Sequence, residues 1–167
     1  WSPDGKWIVT TVHGGMGFGH AIIAMEIDGD RVVDLGIPGC RPCLSADGQL
    51  ITWSSNDHTV NVGTLKWSEE GVKVVGQKVL HQESQLHTYH PDFSPDGRYV
   101  VFSLGPGGRV RANGPGTHTE VAEMIGVRGP WEVVLKPVTG EGPWIKLTSG
   151  DQQTSKEAEW VSVGTDR

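Results

Sequence analysis

Short apolar, β-rich bursts run along the chain, and clusters of glycine and small polar residues separate them. HAIIAMEI (20–27) and RVVDLG (31–36) flank Asp28, Gly29 and Asp30. TVNVGTLKW (59–67) and VKVVGQKVL (72–80) flank a break from Ser68 to Gly71, and WEVVLKPV (131–138) and PWIKLT (143–148) flank one from Thr139 to Gly142. Each burst has the length and composition of a strand, and each break carries turn-forming residues. Long helix-forming stretches are absent. One short helix is predicted over THTEVAEMIG at 117–126, with acids in its first turn and Gly126 as a stop. The 24 glycines fall mostly in the breaks, as in a turn-rich, all-β chain.

A longer period overlies the bursts. WSPDGKWIVT at 1–10 returns as LSADGQLITW at 44–53 and FSPDGRYVVF at 93–102. A degenerate copy, EWVSV at 159–163, lacks the Asp-Gly. Counted between Trp1, Leu44, Phe93 and Trp160, the spacings are about 43, 49 and 67 residues. Ser-Pro-Asp-Gly is a tight turn: proline presets φ, aspartate hydrogen-bonds local backbone, and glycine takes positive φ. Four strands per roughly 43 residues is the arithmetic of a propeller blade. The expected units are about 1–39, 40–88 and 89–156, with a terminal strand at 157–163. Three blades and one strand cannot close a ring of about four to eight blades. The chain is therefore read as part of one β-propeller domain in a longer protein.

The copies resemble the PD40, or TolB-like, repeat of β-propellers, which reads roughly P-x-W-S-P-D-G-k-x-I-a-F. WSPDGKWI and HPDFSPDGRYVVFS match it closely, and Ala46 replaces proline in the middle copy. The resemblance covers nearly the whole chain. It implies four-stranded antiparallel blades, a protein-interaction or ligand-binding role within a larger exported bacterial protein, and a periplasmic or extracellular location.

Composition narrows the classes. With 36% hydrophobic and 20% charged residues the chain has a soluble globular composition. It has no apolar run of about 18 residues that would span a membrane. Its net charge of −6 argues against nucleic acid as a partner, because phosphate binding needs a concentrated basic face. The densest basic stretch, Arg109, Arg111 and Arg128, is thin. No GxSxG, HExxH or calcium-loop motif appears.

Blade geometry sorts the remaining chemistry. The Asp-Gly corners lie on one face of the disc, and all seven histidines fall in or near the connections of the opposite face. Aligning the innermost strands at Leu44, Phe93 and Trp160 makes Arg41, His90 and Glu157 equivalent, and likewise Cys40, Tyr89 and Lys156. Arg41, Tyr89, His90, Lys156 and Glu157 are thus the candidate lining of the channel mouth, able to bind an anion, a metal or a sugar acid. The alternative is a water-filled channel with polar walls. Trp53 and Trp131 are read as core.

Gln85, His87 and His90 precede the third SPDG copy much as a glutamine and two histidines do in oligogalacturonate-lyase-like propellers. That resemblance implies a divalent metal ion and a metal-assisted lyase or hydrolase acting on carbohydrate. There the histidines are spaced by two, and here by three. On an extended strand i and i+3 point to opposite faces, so both reach one ion only if the chain bends between them. Cys40 and Cys43 form a lone CxxC. Leu44, not histidine, follows, which excludes haem attachment, and no second pair completes a zinc site. Two semi-buried thiols or a small strained disulfide remain open. Residues 105–130, roughly, form a long insertion that suits contact with a partner or a substrate. A third possibility is a scaffold domain of a larger multidomain enzyme.

Overall fold

The computed structural model describes residues 1–106, 130–148, 155 and 157–161. The helix predicted at 117–126, most of the insertion, His118 and Lys156 lie outside the described residues. Those residues form eleven strands and no helix, so none is long and apolar enough to cross a membrane. Three antiparallel sheets follow one another. The first is β1 (Trp7–Gly15), β2 (Phe18–Glu26) and β3 (Val32–Asp34). The second is β4 (Cys40–Leu44), β5 (Leu50–Asn56), β6 (Thr59–Ser68) and β7 (Gly71–Gln82). The third is β8 (Leu86–Phe93), β9 (Tyr99–Pro106), β10 (Glu132–Pro137) and β11 (Ile145–Lys146). Every sheet is a meander in chain order, as expected of propeller blades.

The repeat motif builds the same corner three times. Ser2, Ser45 and Ser94 each donate their hydroxyl to the aspartate two residues on, Asp4, Asp47 and Asp96, at 2.6 Å. The aspartate then accepts the backbone N–H of Lys6, Gln49 or Arg98. The serine oxygen accepts the N–H of Trp7, Leu50 or Tyr99, where the next strand begins. The following Gly5, Gly48 and Gly97 take φ of 69°, 66° and 68°, the left-handed region, in every copy. These bonds hold the carboxyls of Asp4 and Asp47 below the ordinary range and that of Asp96 at about 2.

Strand alternation sends one side chain in two toward each neighbouring sheet. Between the first and second sheets lie Trp7, Ile22, Leu35, Ile51, Trp53 and Leu65. Between the second and third lie Val60, Val62, Phe93, Val100, Phe102 and Val134. Trp53 and Trp131 are the largest fully buried side chains, as read from the sequence. The stacking places the first strands of the second and third sheets, β4 and β8, side by side. Residues 157–161 pair with no strand among the described residues. Ser155 N–H nevertheless donates to the Trp131 carbonyl and Glu157 N–H to Ser103 Oγ, which docks this segment beside β9.

Candidate functional site

Arg41, His90 and Glu157 share an unusual backbone. Their φ values are 55°, 54° and 55°, and the other non-glycine residue at positive φ among the described residues is Met16. In β4 the ladder pairs Cys40 with Ser54 and then Cys43 with Thr52, so Arg41-Pro42 bulges against Trp53. In β8 it pairs Tyr89 with Ser103 and then Asp92 with Val101, so His90-Pro91 bulges against Phe102. A bulge leaves its extra residue unpaired, and proline, which has no N–H to contribute, is tolerated there. The Arg41 N–H goes to Thr11 Oγ1 at 3.1 Å, and that of Glu157 to Ser103 Oγ at 3.0 Å. Ser54 holds the equivalent place in β5, and its hydroxyl is buried with no partner among the described residues.

The bulges turn four of the candidate side chains toward one another. The Arg41 guanidinium lies 4.1 Å from the centre of the Tyr89 ring, a cation–π contact between neighbouring blades. Tyr89 is buried, and its hydroxyl bonds the Glu157 carboxylate. Burial, more than this bond, pushes its phenol above the ordinary range. The His90 ring is tilted 5.9 Å from Tyr89. Arg41 Nη2 and His90 Nδ1 are buried without hydrogen-bond partners among the described residues. Both residues line a cleft of about 560 Å³ that also includes Cys43, Asp92, Glu159 and Trp160.

Gln85 and His87 lie elsewhere. Gln85 is exposed in the turn before β8. His87 is buried, and its ring meets His58 edge-on at 4.6 Å, while His58 Nδ1 donates to the Leu86 carbonyl at 2.8 Å. The chain does bend, at His90, yet His87 faces His58 in the neighbouring hairpin. Among the described residues no three His, Cys, Asp or Glu side chains gather as a metal site. Cys40 and Cys43 are free thiols. Arg41 Nη1 donates to Cys40 Sγ at 3.3 Å, and burial raises the Cys40 thiol despite that charge. Cys43 donates its S–H to Asp92 Oδ1 at 2.7 Å, a link between β4 and β8 that the sequence spacing does not disclose. Burial, helped by that carboxylate, pushes Cys43 up to about 12, so it is held as a thiol with little nucleophilic character.

No protein-family model matches the chain, and no curated protein does. Solved structures do. TolB from Acinetobacter baumannii superposes with a TM-score of 0.53 at 22% identity, over 84% of this chain and 29% of that one. A protein of Agrobacterium tumefaciens described as TolB gives 0.52 at 22% identity, over 89% of this chain and 47% of that one. A prolyl endopeptidase gives 0.53 at 16% identity, over 88% and 21%. The chain therefore has the fold of a stretch of TolB-like β-propeller, and it spans less than half the length of each of these proteins.

Proposed function

We propose that the chain is a binding module within an exported bacterial protein, and that it takes a polar segment of a partner protein at the channel end formed by Arg41, Tyr89, His90 and Glu157. One observation carries this reading: three non-glycine residues at the same repeat position share a left-handed backbone. Such a conformation costs about 1–2 kcal/mol for a residue with a Cβ. Glycine would adopt it freely, so repeating arginine, histidine and glutamate there keeps polar groups at a cost. Arg41 Nη2 and His90 Nδ1, buried and without a partner among the described residues, supply hydrogen-bonding capacity for a ligand. With Asp92 and Glu159 in the same cleft, the surface carries both signs of charge and suits a partner that does likewise. The likeness to TolB supports an exported setting, periplasmic or extracellular. The likeness to a prolyl endopeptidase favours a second reading, a propeller serving a multidomain enzyme.

Two substitutions at one position test the first reading in the full-length protein. A photo-crosslinking side chain at His90 is expected to capture a discrete partner, whereas one at Val75, exposed on the outer strand β7, captures none. His90→Ala and His90→Gly are both expected to lose that partner. His90→Gly is expected to be more stable than His90→Ala by about 1 kcal/mol, because only glycine relieves the backbone. Undiminished partner binding by both variants would overturn the assignment.

A further inference from the structure

We propose that the tip of the β1–β2 hairpin is a binding site for a divalent transition metal, chelated by His13 and His20. The two residues are direct partners across the antiparallel ladder, two residues along each strand from the Gly15–Phe18 pair where the turn closes. Their rings stack, with centroids 4.5 Å apart and planes inclined by 27°. Both side chains are exposed, so an ion reaches them without any movement of the core. Opposed residues on an antiparallel ladder present their side chains on the same face. The turn itself is tightly specified: Met16 and Gly17 take φ of 53° and 81°, the left-handed pair that a two-residue hairpin turn demands. The backbone thus holds both imidazoles at short range before any ligand arrives.

Imidazole nitrogen suits copper, nickel and zinc, with Cu²⁺ bound most tightly. Two such ligands from a fixed ladder form a chelate, and water completes the coordination. His13 also borders a cleft of about 260 Å³ lined by Thr10, Thr11, Cys40 and Arg41, which gives the ion's water shell room and hydroxyl partners. Arg41 opposes a bare dication there, so a bound carboxylate or similar anion would strengthen the site. The pair is separate from Gln85, His87 and His90 and does not depend on the reading of the channel end.

Titration of the intact protein with Cu²⁺, Ni²⁺ and Zn²⁺ tests the site. One Cu²⁺ per chain is expected to bind in preference to the others. Its electron paramagnetic resonance spectrum should show two nitrogen ligands. His13→Gln and His20→Gln should each weaken binding by about tenfold or more, since even outer supports of a metal ligand contribute that much. His87→Gln and His90→Ala should leave it unchanged. In case a variant misfolds, paramagnetic broadening of the His13 and His20 ring resonances in the wild-type protein reads the same contact. Binding unaltered by either substitution, or broadening confined to other histidines, would overturn the proposal.

Discussion

Gly39→Ala is expected to destabilise the domain by about 3–4 kcal/mol, a large part of the 5–15 kcal/mol that holds a typical domain together. Gly39 stands at φ 113°, a conformation that an alanine adopts only under strain. A Cβ built there would also fall on the Ser54 carbonyl oxygen and lie 2.6 Å from Ser55 Cα. Both obstacles are backbone, so no side-chain rotation relieves them. Strain of about 1–3 kcal/mol adds to an overpacking cost of about 1–3 kcal/mol. The damage is local to the site, because Ser54 pairs directly with Cys40 and Arg41 follows. Gly36→Ala is the control: Gly36 has φ 67° but nothing within 4 Å of an added Cβ, so only the conformational cost applies. Urea unfolding of the two variants makes the comparison. A midpoint for Gly39→Ala no lower than for Gly36→Ala would show that β4 accommodates the methyl group by moving.

The blades were legible because their grammar is local. Ser-Pro-Asp-Gly specifies its own hydrogen bonds within five residues, so three copies announce three identical corners. The equivalence of Arg41, His90 and Glu157 was also legible, since a repeat fixes register even where residue types differ. Their positive φ was not. Left-handed backbone is normally signalled by glycine, and none stands there. Pro42 and Pro91 were the available hint, because proline inside a strand marks a bulge or an edge. Contacts made only by stacking one blade on the next stayed hidden. The His58–His87 pair spans two blades, and so does the link from Cys43 to Asp92. Neither spacing nor periodicity along one chain measures how neighbouring sheets face each other. The i, i+3 spacing of His87 and His90 has the same limit: it demands a bend but does not disclose His58 beside His87.

Acid is expected to loosen the seam between the second and third blades, beginning near neutrality. His87 and His81 are both buried there, against His58 and Phe102 respectively. Burial, before any charge effect, lowers both below the ordinary histidine value of 6.5. His58 adds to the lowering at His87 and Asp57 opposes it, while Lys136 adds to it at His81 and Glu83 opposes it. Among the described residues neither His81 Nε2 nor His87 Nδ1 has a hydrogen-bond partner to accommodate a proton. The unfolded chain therefore binds protons that the folded one refuses. The stabilisation is complete above the unfolded value and is lost as pH falls from there through the lowered folded values. Each histidine contributes a slope of at most about 1.4 kcal/mol per pH unit in that window. The turn aspartates Asp4, Asp47 and Asp96 do not share it, since their carboxyls lie below the ordinary range and stay ionised until stronger acid. Thermal unfolding between pH 7 and pH 5 should thus show a falling midpoint, and the double variant His81→Leu with His87→Leu should flatten that fall even if its midpoint at pH 7 differs. An equal slope in the double variant would assign the acid sensitivity to other groups.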